Sequence, residues 1–155
     1  MRICHALLPL FILLAGCAGP QGELRSLAEQ RLALSPDIAW YKHSNNVPVY
    51  DPARETAVLQ TVMAAGQQQG LNPDTVRRFF AAEMEASRRI QWVWIEGWRK
   101  NRIPPLDRPV MDLGSYVRPQ IDEINARQIR AMARGAQPLN VAQLSEIGAR
   151  FLPKN

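Results

Sequence analysis

Apolar residues recur at three- and four-residue intervals along most of the chain, a spacing that places them on one face of an α-helix. The first such segment runs from Glu23 to about His43 and includes Leu24, Leu27 and Leu34. Ser35-Pro36-Asp37 interrupts it. These residues fit either a new helix with Pro in its first turn or a kink in one long helix, and the continuing apolar face favours the kink.

Capping residues, Pro and Gly delimit the middle of the chain. Asp51-Pro52 predicts the start of a second helix, which runs to Gln69 and is ended by Gly70. Asn72-Pro73 repeats the start signal for a long helix that extends to about Lys100. The inward face of this long helix consists of residues spaced by three or four: Val76, Phe79, Phe80, Met84, Ser87, Gln91 and Trp94.

The C-terminal third begins with a proline-containing linker, residues 101–111. A fourth helix starts near Asp112 or Pro119 and ends at Gly135, and a last helix spans about Asn140 to Phe151. No segment alternates as a strand would, apart from residues 47–50, where a proline argues against a strand. The predicted fold class is all-α, a single-domain helical bundle of about five to six helices.

The N-terminus has a different pattern. Arg2 precedes a short apolar stretch, residues 6–15, which is typical of a signal peptide and too short for a stable transmembrane helix. Leu14-Ala15-Gly16-Cys17 has the pattern of a lipobox, in which the Cys is lipidated; the alternative is cleavage after Ala18 or Gly19. Both predict export, either to the periplasm with a lipid anchor at Cys17 or as a soluble periplasmic or secreted protein.

The predicted organisation is therefore a signal peptide at residues 1–17, a linker at 18–22 and one domain at 23–155. The net charge is +5 for the full sequence, and Arg2 contributes one of those charges. This balance favours anionic partners without distinguishing a metabolite from a polymer or a membrane surface. Cys4 and Cys17 are the only cysteines, so no pair for an intramolecular disulfide remains in the mature domain.

Polar residues recur beside the apolar faces of several predicted helices. Each has an ordinary explanation: Arg31 could extend to solvent from a helix edge, Lys42 could be solvated, and Asp51 could serve only as an N-cap. Together they would make an unfavourable core without a ligand. They predict a pocket for a small dianion that also carries hydroxyl or ether oxygens. The set is Arg31, Lys42, Asp51, Arg54, Glu55, Ser87, Gln91 and Arg127.

Other site types have weaker support. His43 stands alone, which makes a zinc site implausible, and no serine accompanies a His/Asp arrangement for nucleophilic catalysis. Trp92, Trp94 and Trp98 lie near arginines and could stack on bases, but core positions or a dimer surface are favoured. A non-enzymatic exported helical lipoprotein that binds acidic envelope components is the alternative function.

The polar set also resembles a known family. From Arg31 to Gln91 the chain is similar to the all-α class of chorismate mutases, through the Arg of AEQRLAL, the Lys of AWYKH, the DPARE block and ASRRIQ. The successive separations from Arg31 through Lys42, Arg54, Ser87 and Gln91 are 11, 12, 33 and 4 residues. The leader and the C-terminal extension resemble the secreted, gamma subclass. The resemblance covers about residues 23–134.

The resemblance implies the Claisen rearrangement of chorismate to prephenate, the chemistry of Phe and Tyr biosynthesis, performed here outside the cytoplasm. It implies no cofactor and no metal, and a homodimer with each active site inside one chain. Nucleic acid is not an expected partner, because export removes it and the basic residues are spread along the chain rather than clustered.

The family's site residues are carried over by position. Arg31, Arg54 and Arg127 would bind the two carboxylates, and Ser87 would support one of them. IDEINARQ, which contains Arg127, resembles the segment that supplies an additional arginine in the secreted subclass. Lys42 and Gln91 would donate to the ether oxygen, and Gln91, as an amide, would do so at any physiological pH. Asp51 and Glu55 would orient the ring hydroxyl and Lys42.

Overall fold

The computed structural model describes residues 19–154, and within that range the backbone forms α-helices, one π-helical turn and no strand. The predicted signal peptide and the lipobox at Cys17 lie outside the described residues. The elements are α1 (Pro20–Ala33), α2 (Ser35–Ser44), α3 (Pro52–Gln68), α4 (Pro73–Arg99), the π-turn (Leu113–Val117), α5 (Arg118–Ala133) and α6 (Val141–Ala149).

The predicted kink in the first helical segment occurs where Ser35 and Pro36 interrupt the pattern. A single residue, Leu34, separates α1 from α2, and it keeps a right-handed helical conformation with φ −77° and ψ −13°. Pro36 has no N–H to continue the hydrogen-bond ladder, which breaks the helix without reversing the chain. The segment is therefore two helices joined by one helical residue, with a break at the predicted position.

The predicted starts of α3 and α4 are confirmed. Asp51 accepts a hydrogen bond from the Arg54 backbone N–H at 3.0 Å, and Asn72 accepts one from the Thr75 N–H at 3.1 Å. Gly70 follows α3 with φ +75°, a left-handed conformation that glycine adopts without strain. These caps are local properties of the sequence, which explains why they could be predicted.

Both proposed starts of the fourth helix mark real features. Asp112 caps the π-turn by accepting the Ser115 N–H at 2.7 Å, and α5 then begins at Arg118, next to Pro119. The last helix ends at Ala149, two residues before the predicted end at Phe151.

The long helix α4 lies at the centre of the bundle. It packs against α2, α3 and α6, while α1 packs against α5 and α6. The core includes Phe79 and Phe80 of α4, Leu24 of α1, and Leu144 of α6, all nearly or fully buried. No helix within residues 19–154 is long and apolar enough to cross a membrane.

The tryptophans divide between the core and the surface. Trp98 is buried, Trp94 is partly buried beside it, and the Trp94 indole N–H donates to the Phe151 carbonyl at 2.7 Å. Trp92 is 46% exposed and is followed by exposed Val93. Two of the three tryptophans therefore have core roles, as favoured from the sequence.

Candidate functional site

A cavity of about 120 Å³ lies where α1–α4, the π-turn and the start of α5 converge. It collects side chains that are far apart in the sequence but that each helix directs inward. Seven of the eight predicted residues line it: Arg31, Lys42, Asp51, Arg54, Glu55, Ser87 and Gln91. Arg88 and Arg118, which were not predicted as site residues, line it too. The wall therefore presents five cations and two carboxylates, which makes it suited to an anionic ligand.

Local structure explains how these residues converge. Arg31 and Lys42 are separated by eleven residues, close to three helical turns, so the kinked α1–α2 path keeps them on one side. Ser87 and Gln91 are one turn apart on α4. The capped start of α3 brings the DPARE block, residues 51–55, to the same opening.

Arg31 is an integral part of the interior, with only 6% of its surface exposed. Its Nε donates to Oδ1 of Asn125 at 2.9 Å and lies 3.2 Å from Oε2 of Glu83. An extended side chain reaching solvent from the helix edge is therefore the wrong explanation for Arg31. The contacts with Asn125 and Glu83 occupy Nε, so the terminal guanidinium nitrogens are left for the cavity that Arg31 lines.

Lys42 has an altered proton affinity. Burial lowers the pKa of its ammonium group because the charged form is poorly solvated there, while the carboxylates of Asp51 and Glu55 act in the opposite direction. The positive charges of Arg118 and Arg88 lower this pKa further. Lys42 thus lies within electrostatic range of four charged groups that line the same cavity.

Lys42 also has a direct hydrogen bond. Its Nζ donates to the Val49 carbonyl at 2.5 Å. An ammonium group has three N–H donors, so this bond holds the side chain while two donors remain.

Ser87 and Gln91 belong to a short hydrogen-bond chain on the side of the cavity formed by α4. The Ser87 hydroxyl lies 2.8 Å from the Ser35 hydroxyl and accepts a hydrogen bond from Gln91 Nε2 at 3.1 Å. Nε2 carries two hydrogens, and one of them is not used in this contact. The Gln91 carboxamide oxygen is buried and has no hydrogen-bond partner among residues 19–154. Gln91 therefore retains both donor and acceptor capacity at the cavity.

The carboxylates at the opening are already partnered. Glu55 forms an ion pair with Arg88, which also pairs with Glu85 on its own helix. The Arg88 guanidinium lies 5.1 Å from the ring centre of Tyr50, within cation–π range. Asp51 caps α3, as expected from the sequence. Glu55 thus fixes a cation at the cavity rim, a role that the sequence did not reveal.

Arg54 remains comparatively free. Its side chain is 40% exposed and its nearest carboxylate contact is Asp122, at 3.9 Å. A guanidinium in this setting can pair with a ligand carboxylate without first breaking a close ion pair.

Arg127 is the predicted residue that the structure does not bring to the cavity. It lies on α5, nine residues beyond Arg118, which does line the wall. Nine residues at about 100° each rotate a side chain to the opposite face of a helix and move it about 13 Å along the axis. In this structure, therefore, α5 brings Arg118 and not Arg127 to the cavity. Pro119 marked the start of α5 in the sequence, but nothing there showed which face meets the cavity.

Three polar residues behind Arg31 were also missed: Glu83, Asn125 and Gln128, all buried. Glu83 lies on the inward face of α4, between Phe79 and Ser87 in steps of four residues. That spacing could have identified it. No group of His, Cys, Asp and Glu in residues 19–154 has the arrangement of a metal site.

Comparisons with known proteins agree with this arrangement. A sequence model of the family described as chorismate mutase type II matches residues 22–92. The monofunctional chorismate mutase of Enterobacter agglomerans is 32% identical over 131 residues, covering 84% of this chain and 69% of that protein. The secreted chorismate mutase of Yersinia pestis is 26% identical over 136 residues, covering 88% and 72%.

Solved structures show the same architecture. The chorismate mutase of Burkholderia thailandensis superposes with a TM-score of 0.71 at 32% identity, covering 85% of this chain and 82% of that one. The secreted chorismate mutase of Yersinia pestis has a TM-score of 0.70 at 23% identity, covering 84% and 95%, a similarity that concerns the fold alone.

Proposed function

The chain belongs to the chorismate mutase family, and we propose that its cavity converts chorismate to prephenate by restricting the substrate's shape and stabilising charge on its ether oxygen. The observation that carries this proposal is the convergence of Arg31, Lys42, Arg54, Ser87 and Gln91 on one cavity. The enzyme is an isomerase. Its cations line an interior cavity, which favours a small anionic substrate over the alternative of an acidic envelope polymer.

Substrate binding follows from charge and geometry. Chorismate carries two carboxylates, an ether bridge and a ring hydroxyl. Arg31, Arg54 and Arg118 are the three guanidinium groups at the cavity that are not paired with Glu55, and guanidinium matches a carboxylate in a two-pronged contact. We assign to Arg118 the additional carboxylate contact that the family resemblance had placed at Arg127. Binding both carboxylates would hold the side chain of chorismate over its ring.

The chemistry itself needs few groups. In the rearrangement one C–O bond breaks while one C–C bond forms, within a single molecule and without proton transfer. The enzyme's first contribution is therefore orientation, because only the compact chair-like conformer brings the two carbons together. The second is electrostatic: negative charge grows on the ether oxygen, and fixed donors directed at it lower the barrier. Lys42 and Gln91 are the donors assigned to this oxygen.

The remaining predicted residues have supporting roles. Asp51 and Glu55 favour the charged form of Lys42 against the effect of burial, which keeps it a cationic donor. Ser87 accepts from Gln91 and so orients the carboxamide, in addition to its assigned support of a carboxylate.

The test is the disappearance of chorismate absorbance on addition of the purified protein. The Lys42→Ala variant should lose at least ~10²-fold in turnover, as expected for one donor to a developing oxyanion. Lys100→Ala is the matched control, because Lys100 is exposed and pairs with Glu96 at the end of α4. A fully active Lys42→Ala enzyme would remove the proposed mechanism, and a wild-type protein without turnover would remove the proposed function.

Localisation and assembly belong to the same proposal. The names of the Yersinia pestis and Mycobacterium tuberculosis relatives describe secreted enzymes, which supports export of this chain. We propose periplasmic delivery with acylation at Cys17, which mass spectrometry of the mature N-terminus tests.

Exposed Trp92 and Val93 on α4 support the proposed homodimer. Light scattering should then give twice the mass of one chain.

A further inference from the structure

A carboxylate lies behind the substrate-binding arginine, outside the cavity wall. Glu83 is completely buried on α4, yet it is not among the residues that line the cavity. One of its oxygens, Oε1, accepts a hydrogen bond from Nε2 of Gln128 at 2.6 Å. The other, Oε2, lies 3.2 Å from Nε of Arg31. Glu83 therefore connects α5 to the one deeply buried cation at the site.

Two neighbours of Arg31 contact its Nε in different ways. The single Nε–H donates to Oδ1 of Asn125, so Asn125 supplies the directional hydrogen bond. Glu83 Oε2 has no hydrogen bond in the described chain, so it acts on Arg31 through charge at short range. Burial raises the pKa of Glu83, and the nearby Arg31 charge acts in the opposite direction, which favours the ionised carboxylate. A buried guanidinium without a counter-charge would be strongly disfavoured. Both contacts are made at Nε, and within residues 19–154 the terminal nitrogens have no side-chain hydrogen bond or ion pair.

We propose that Glu83 is a positioning residue for catalysis: its charge holds the Arg31 guanidinium inside the bundle, with the terminal nitrogens directed at a substrate carboxylate. This inference rests on the proposed function, in which Arg31 binds that carboxylate. Glu83 itself does not touch the substrate. In a purely structural role, the Glu83–Gln128 contact would only join α4 to α5. The effect of replacing Glu83 would then not depend on the presence of Arg31.

The discriminating experiment is a double-mutant cycle on kcat/KM with Glu83→Gln. This change keeps the shape and removes the charge. We expect about a tenfold loss, mainly as a higher KM, because residues in one charged network are coupled by this order. In an Arg31→Ala background the same change should have less than about a twofold effect, since there is no guanidinium left to position. In an Arg54→Ala background the tenfold loss should persist, because Arg54 does not contact Glu83.

A charge-relocation variant gives an independent readout. Asn125→Asp replaces the amide that accepts the Nε–H of Arg31 by a carboxylate, which restores a negative charge beside the guanidinium. The Glu83→Gln/Asn125→Asp double variant should therefore recover most of the lost kcat/KM. Circular dichroism and thermal melting confirm that each variant is folded.

Each of these measurements tests the positioning role of Glu83. An unchanged Glu83→Gln enzyme, an equal loss in the Arg31→Ala background, or no recovery in the double variant would overturn the positioning role. Absence of chorismate turnover in the wild-type protein would instead overturn the proposed function, and the inference with it. The two failures are therefore distinguishable.

Discussion

Replacing Arg118 by Ala tests the assignment of the additional cavity arginine. A hydrogen bond to a charged group contributes about 1.5–3 kcal/mol, and each 1.4 kcal/mol is a factor of ten. Arg118 is exposed at the cavity rim, so solvent screening favours the lower end of that range. We expect kcat/KM for chorismate to fall about tenfold.

The same variant should change the pH profile. In the proposed mechanism Lys42 stabilises the ether oxygen as a positively charged donor, so activity should fall as pH rises through its pKa and the charge is lost. The positive charge of Arg118 lowers that pKa. Removing it raises the pKa, and the alkaline decline in kcat/KM should therefore move to higher pH in Arg118→Ala. A loss of stability alone would not shift the pH at which kcat/KM declines.

Arg127→Ala is the matched control, because Arg127 lies on the same helix but does not line the cavity. Both variants are measured by chorismate absorbance from neutral pH to about pH 10, with circular dichroism as the check on folding. A tenfold loss in Arg127→Ala beside an unimpaired Arg118→Ala would instead assign the additional carboxylate contact to Arg127, as the resemblance implies.

Two further predictions concern Gln91 and the core. Wild-type turnover should change little between mildly acidic and neutral pH, since an amide donates a hydrogen bond at both. In Gln91→Glu the introduced carboxyl group donates only when protonated. The activity of this variant should therefore survive at acidic pH and fall as pH rises. Equal pH profiles for the two enzymes would contradict the role of Gln91 as a donor. Phe80→Ala, at a fully buried position, should lower the free energy of unfolding by about 3–5 kcal/mol in urea denaturation, whereas Val141→Ala, at an exposed position, should stay within about 0.5 kcal/mol. A small effect of Phe80→Ala would mean that the core is not packed around α4 as described.

Features decided by local interactions were predictable from the sequence. The starts of α3 and α4 depend on Asp51-Pro52 and Asn72-Pro73, whose capping oxygens reach a backbone N–H three residues later. The inward face of α4 follows from helical spacing, which places Ser87 and Gln91 together one turn apart. The convergence of Arg31, Lys42 and Arg54 followed from the family resemblance and not from periodicity alone.

Features that depend on packing between distant segments were not predictable. The linker of residues 101–111 and the π-turn have no helical period, so the rotation of α5 about its axis could not be inferred. The sequence therefore could not show that Arg118 lines the cavity and Arg127 does not. The pairing of Glu55 with Arg88 depends on how α3 crosses α4. Glu83 is the exception: its place on the inward face of α4 was visible, although its partners on α1 and α5 were not.

In the proposed mechanism the cavity recognises the compact, reacting shape of a diacid and does not merely attract negative charge. Isothermal titration of the wild-type protein with two dicarboxylates tests it directly: a rigid bicyclic ether shaped like the chair-like transition state, and a flexible open-chain ether of equal charge. We expect the bicyclic compound to bind at least ~10²-fold more tightly. Equal affinities for the two compounds would contradict it.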